Sequence, residues 1–443
     1  MRQATPKPCS TANSTSCCAT TRRRRWAISV RLWAALAAVA AILVLPSAAG
    51  AQSAPEIADG GVTNLFPDGM EFAVSVSSDS PIEELRLRYT VLPDGTAAIG
   101  QPEFDAGTTV ETTFALAGNN PPKIYLSPGT VIEYYWEATD ADGDESRSEM
   151  QTFFYDDARF DWQSVSGDDV TIYYYAGSEG DAKDMHAVAL DSISEMSALL
   201  QTDVPFEVEV WIYASTDDMR PALQARSETY ESQITTAGVR VASNTVLVLG
   251  NASFDTLRHE LTHVVTKQAG ESAFGSLPAW LDEGTAVYGQ SGPGGFGSAI
   301  EGAISRGNVL SVREVSSYPG DPTKVNLFYG EGWSLVSYLI DGYGEEQFAE
   351  LFAAVKSGKR IESALQAVYG FGQDGLEDEW RAANGLPPRA TPAPSNPDQP
   401  DDVAPADEGD GGSSLALTIA LAAAVIALAM AVGVGGVLIS RRL

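Results

Sequence analysis

The sequence predicts a multidomain chain: an all-β sandwich near the N-terminus, an α+β domain after it, and one apolar transmembrane helix near the C-terminus. Three observations lead there. From about Ile57 to Tyr155, short β-branched and aromatic runs are separated by Gly, Pro, Asn or Asp. Beyond Asp156 the apolar spacing moves towards the helical period, with strand-like runs between the helices. Leu415 to Ile439 is 25 residues without a charge, long enough at 1.5 Å per residue to cross a hydrocarbon core of about 30 Å.

The strand runs are "EFAVSVSS", "ELRLRYTV", "TTFAL", "VIEYYWEAT" and "MQTFFY". At this spacing, over residues 56–156, they predict an immunoglobulin-like sandwich. "TDADGDE" has calcium-loop acids, but Gly143 falls between Asp142 and Asp144, too early for an EF-hand, so it reads as an Asp-Gly hairpin turn. In the α+β domain, 165–388, "AKDMHAVALDSISEMSALLQ" reads as a helix, "FEVEVWIYA" as a strand, "DMRPALQAR" as a short helix and "TVLVLG" as a buried strand. "SFDTLRHELTHVVTKQAG" is a helix with Ser253 as N-cap, Asp255 in its first turn and Gly270 as its stop. The rest, to about Asn384, is mostly helical.

At the N-terminus, arginines 22–25 and Arg31 precede an apolar run, Leu32–Leu45, and then Ala49-Gly50-Ala51. This predicts a signal peptide over 1–51, cut after Ala51. At the other end a Pro-rich acidic linker, 389–414, leads to the span 415–439 and a tail, 440–443, with Arg441 and Arg442. Arginines stay on the cytoplasmic side, so the expected molecule is a single-pass membrane protein with an extracytoplasmic body. All three cysteines (Cys9, Cys17, Cys18) lie in 1–51, leaving the remainder without a disulfide or a thiolate nucleophile. That segment also holds seven of the 28 basic residues and none of the 59 acids. The remainder therefore sets 21 basic residues against 59 acids, a net charge of −38, which excludes nucleic acid as a partner and disfavours anionic lipid surfaces.

Within "TLRHELTHVV" lies His259-Glu260-x-x-His263. Residues i and i+4 share a helix face, so both imidazoles reach one metal ion, with Glu260 beside the first as a base for water. The chain has only three histidines and two are here. Downstream, "PAWLDEGTAVY" opens a second helix carrying Asp282 and Glu283. A catalytic zinc takes three protein ligands and keeps a fourth position open; His259, His263 and Glu283 would supply the three. Asp282 and Glu283 point about 100° apart on a helix, so only one faces the ion. The other is left as a carboxylate behind the ligands or a solvent-facing residue.

"TLRHELTHVV" followed by "LPAWLDEGTAVY" resembles the gluzincin metallopeptidases, most closely the bacterial peptidase MA-like group. The resemblance implies a zincin fold, Zn2+ held by His259, His263 and Glu283, Glu260 as general base, and a peptide or protein substrate. It aligns Glu283 with the family ligand although 19 residues separate it from His263, one more than is usual in aminopeptidase-N-like relatives. "YGEGWSLVSYLIDGYG" resembles a later helix of these proteins and offers Tyr329 as a donor to the oxyanion, or simply as a packing residue. No exopeptidase motif stands upstream of His259.

Three further features carry less. His186 reads as structural or exposed. "GFGQDG" matches a dinucleotide-site pattern but follows a helix, so it reads as a helix stop. "GQSGPGGFGS" (289–298) reads as a mobile lid or a long loop. Two rival functions fit the same residues: a surface adhesion protein with a vestigial zincin domain, and a zinc hydrolase of non-peptide acyl bonds. The intact Glu260 argues against the first.

Overall fold

A computed structural model describes residues 53–116, 125–224 and 237–389. The expected signal peptide, the span, the tail and all of the linker but Arg389 lie outside the described residues. Among those described, no helix is long and apolar enough to cross a membrane.

The leading region is a sandwich of two antiparallel sheets. One has the order β1 (Glu56–Asn64), β2 (Met70–Ser77), β5 (Thr109–Leu116). The other has the order β4 (Thr96–Gly100), β3 (Ile82–Leu92), β6 (Thr130–Asp140), β7 (Glu145–Arg147), with β8 (Gln151–Tyr155) also on β6. Alternation builds the core: Phe72, Val74 and Val76 of β2 face Leu85 and Leu87 of β3 and Ile132, Tyr134 and Trp136 of β6. The "TDADGDE" turn is a hairpin, as expected. The Asp140 carboxylate accepts from the backbone N–H of Asp142 (3.1 Å) and Asp144 (3.0 Å) and is spent on closing it.

The second region has a five-stranded sheet in the order β12 (Gly238–Arg240), β13 (Thr245–Leu249), β11 (Val208–Tyr213), β10 (Val170–Tyr174), β9 (Gln163–Gly167). The three central strands run parallel and both edges antiparallel. Three of these strands are absent from the sequence reading. β9 is small and polar, and it joins β10 through Asp168 and Asp169, both at positive φ, the two-residue hairpin geometry. β12 has only three residues.

Helix α1 (Glu179–Leu200) starts in a capping box of Ser178 and Asp181. It covers one sheet face together with the helix that carries the paired histidines, Leu257, Leu261 and Val264 of the latter meeting Val210, Val246 and Val248. On the other face Trp211, Tyr213 and Leu247 meet Met219 of α2 (Thr216–Met219), and Phe154 of the sandwich stacks on Trp211 at 6.1 Å. His186 has its Nε2 3.1 Å from the Gly167 carbonyl and 3.2 Å from that of Val170, holding α1 to the β9–β10 turn.

The remaining helices are α3 (Phe254–Gly270), α4 (Ala279–Tyr288), α5 (Gly294–Arg306), α6 (Val325–Tyr343), α7 (Glu345–Lys356), α8 (Ile361–Tyr369) and α9 (Gln373–Ala383). α4 and α6 touch at glycines: a Cβ on Gly284 would lie 2.3 Å from the Gly332 carbonyl oxygen. Gly284→Ala must push these helices apart next to Glu283, and overpacking of this kind costs about 1–3 kcal/mol. A lower midpoint in denaturant unfolding is the expected result; an unchanged midpoint would contradict the close contact.

Where the two regions meet, Glu209 is buried against Gly129, whose φ is +89° and where a Cβ would lie 1.9 Å from Glu209 Oε2. Trp211 Nε1 donates to that oxygen (3.0 Å), but burial dominates and pushes the carboxyl from 4.5 up to about 8. Below the lower value both folded and unfolded chains are protonated. Between the two the unfolded chain releases its proton and the folded chain keeps it, so stability falls as pH rises and levels off above the upper value. Glu331 in α6, pushed by burial to about 8, acts in the same sense. Glu209→Gln keeps an acceptor for Trp211, so it should stabilise the protein at pH 8 by a few kcal/mol at most and make the decline between pH 5 and 8 shallower. Denaturant unfolding at the two pH values measures this; an unaltered slope would reject a neutral Glu209.

Candidate metal centre

α3 is amphipathic only weakly because it is buried nearly all round. Ser253 caps it by accepting from Thr256 N–H (3.1 Å), and Asp255 in the first turn suits the positive end of the helix dipole. His259 and His263 share one face, ring centroids 4.9 Å apart. α4 begins directly after Pro278 and carries Glu283 to them. Glu283 Oε2 lies 3.3 Å from His259 Nε2 and 3.4 Å from His263 Nε2. One nitrogen of each imidazole and one oxygen of Glu283 all lie within 4.8 Å of one another.

Those three atoms, with Glu260 Oε1 and Tyr329 Oη, are buried and have no hydrogen-bond partner. Five such atoms together would cost several kcal/mol if nothing met them. Two imidazole nitrogens and a carboxylate oxygen are the donor set of a catalytic zinc site, so the residues present fit that ion. The charge balance agrees. Burial pushes the Glu283 carboxyl up, yet His263 and His259 outweigh it and hold it down at about 2. Burial disfavours a charged His263, yet Asp282 and Glu283 outweigh it and raise its pKa well above the ordinary value. The site demands positive charge, which either a proton on His263 or a cation can supply.

The outer nitrogens are held as well. His263 Nδ1 donates to Asp282 Oδ1 (3.1 Å), which also accepts from Thr266 Oγ1 (2.6 Å). Lys267 Nζ lies 2.7 Å from Asp282 Oδ2 and 2.8 Å from Glu271 Oε1. Of the two readings of Asp282, the solvent-facing one is therefore wrong. Asp282 is 4% exposed and backs a histidine, because the 100° step that turns Glu283 inwards turns it onto Nδ1. His259 Nδ1 lies 3.0 Å from the Gln290 amide; with Nε2 free for a metal, Nδ1 carries the proton and the amide oxygen must face it.

The stretch 289–298 is neither lid nor long loop. Gly289 ends α4, Ser291 bonds Asp255 through its N–H (2.7 Å) and Oγ (2.9 Å), and α5 starts at Gly294. Glycine and proline mimic a loop signal here, but Pro293 caps a helix.

Glu260 accepts from the backbone N–H of Arg240 (3.0 Å) through Oε2, leaving Oε1 free. Burial raises its pKa, opposed by His259 and His263, as suits a group that takes up a proton. Tyr329 is 1% exposed, its ring 6.0 Å from that of His259 and stacked on Phe296 at 5.0 Å. It thus combines a packed ring with a free hydroxyl. Tyr318, absent from the sequence reading, donates its hydroxyl to Glu283 Oε1. It sits in irregular chain between α5 and α6, where no periodicity marks it. Gln290 and Arg240 are likewise brought in by the fold alone.

No curated protein matches this sequence. Among solved structures, the M1 zinc metallopeptidase from Deinococcus radiodurans is 13% identical, covering 75% of this chain and 92% of its own, with a TM-score of 0.31. A point mutant of that enzyme is 13% identical, with coverages of 72% and 92% and a TM-score of 0.32. Residues 188–384 match the model of the Peptidase MA superfamily. That stretch contains both histidines, both glutamates and the helices that gather them, and over it the chain is similar to the Peptidase MA superfamily.

Proposed function

We propose that the chain is a zinc metallopeptidase, tethered by its C-terminal apolar segment with its body outside the cytoplasm, that hydrolyses peptide bonds with Glu260 as general base. The observation that carries the catalytic part is the convergence of unpartnered His259 Nε2, His263 Nε2 and Glu283 Oε2 in a buried pocket next to Glu260. The tether rests on the charge-free segment 415–439 and the arginines after it.

His259, His263 and Glu283 would hold a zinc ion, which would supply Lewis acidity towards a carbonyl and a bound water. The protein's own groups do the rest. Glu260 is fixed by the Arg240 N–H with one oxygen free, so that oxygen takes the proton of the attacking water and hands it to the departing amine. Asp282 and Gln290 fix the rotation of the two imidazoles. Tyr318 holds the far oxygen of Glu283, and the Tyr329 hydroxyl is the candidate donor to the developing oxyanion.

The test is a peptidase assay on the purified full chain with metal analysis. About one zinc per chain, peptide cleavage, and loss of cleavage with a chelator are expected. Zinc without cleavage of any peptide but with ester hydrolysis would favour an acyl hydrolase; no metal uptake at all would reject the enzyme. For the tether, protease applied outside cells stripped of any outer envelope should free the body by cutting within 390–414. A body that stays protected would reverse the orientation.

A further inference from the structure

A cavity of about 420 Å3, within the roughly 300–1,000 Å3 of ligand sites, lies one residue away from the metal centre, with Arg240, which bonds Glu260, and Lys267, which pairs with Asp282, in its wall. Its walls come from both regions: Asp94 in the β3–β4 turn of the sandwich, Arg240 and Ser243 around β12, and Val264, Lys267 and Gln268 from the C-terminal half of α3. Arg240 joins it to the chemistry, since its backbone N–H holds Glu260 while its side chain lines the cavity.

The charges lining this space are unequal. Lys267 is saturated by Asp282 and by Glu271, the other acid of the wall. Asp94 is exposed, accepts from Ser243 Oγ, and has its field screened by solvent. Arg240 is half-buried, donates to the Ala242 carbonyl (3.0 Å), and has no carboxylate partner among the described residues. In a chain with 59 acids against 28 basic residues, a guanidinium left without one in the wall of a cavity is unusual. Its free N–H groups form a fork suited to a carboxylate, and Val264 with Phe206 offers apolar wall for the methylenes of an incoming side chain.

We infer that this cavity is a substrate subsite selecting an acidic side chain, with Arg240 as the specificity-determining residue and the sandwich as its outer wall. The inference rests on the peptidase reading above and names its substrate class.

The experiment uses the full chain, zinc-loaded in detergent, and one cleavable peptide sequence with Glu, Gln or Lys placed in turn at each position flanking the cut. At one position Glu should exceed Gln by about tenfold in kcat/KM, as for one charge-assisted hydrogen bond. That ratio should fall to about one in Arg240→Leu, be partly retained in Arg240→Lys, and rise in Asp94→Asn. A ratio unmoved by Arg240→Leu, or a preference for Lys, overturns the assignment. Anisotropy binding of the same labelled peptides to Glu260→Gln separates the two readings. If the wild type cleaves nothing, the peptidase reading falls while the Arg240-dependent Glu/Gln binding ratio still decides the subsite; equal binding of Glu and Gln peptides overturns it.

Discussion

Glu260→Gln is expected to keep the metal and to lose peptide turnover by about 10³-fold or more, within the roughly 10²–10⁴ that a positioned base supplies. Glu260 is outside the group of three ligand atoms, and its Oε2 is engaged by the Arg240 N–H. Glutamine preserves that acceptor and the side-chain volume, so only the base is lost. Metal content and steady-state rates measured on one preparation check both halves. Loss of zinc together with activity would make Glu260 a ligand, and retained activity would place the base elsewhere.

Glu283→Ala should weaken metal binding sharply and lose activity with it. It removes one of three ligands from a site whose buried histidines have no other partner for Nε2, and an affinity loss on the order of a hundredfold or more follows if each ligand carries a comparable share of about 10–16 kcal/mol. Asp282→Asn should behave differently. An asparagine oxygen still accepts from His263 Nδ1, but the ion pair with Lys267 is lost and a buried ammonium is left with Glu271 alone. Zinc affinity should fall by about ten- to hundredfold, and added zinc should restore turnover, which it cannot do for Glu283→Ala. Isothermal titration with zinc and rates at saturating metal distinguish the two. Rescue of Glu283→Ala but not of Asp282→Asn would transfer the ligand role to Asp282.

What was legible in the sequence was local. The paired histidines fall four apart on one helix, so spacing alone brings the two imidazoles together, whereas the choice of Glu283 over Asp282 came from the family resemblance. The alternating runs of β2 and β6 are half-buried strands and read as such. Residues that arrive through the fold left no mark: Tyr318 sits in an irregular connection, Gln290 just past a helix end, and Arg240 on a three-residue edge strand. β9 and β12 were hidden because one is small and polar and the other too short for any period. The glycines and proline of 289–298 misled in the opposite direction, since the same residues that break a chain also start a helix.

The hollow at Gly129 bears on how such a chain can be altered by recombination. A catalytic half transplanted behind a different leading module would bring Glu209 with it but leave behind the one residue whose missing side chain makes room for it. With any other residue at that point the left-handed backbone is strained, and the Glu209 carboxylate must move off Trp211 Nε1 before the junction closes. The two halves therefore fit best when inherited together. A chimera joined at their boundary should lose stability at this seam, by about 1–3 kcal/mol, unless a glycine travels with the graft.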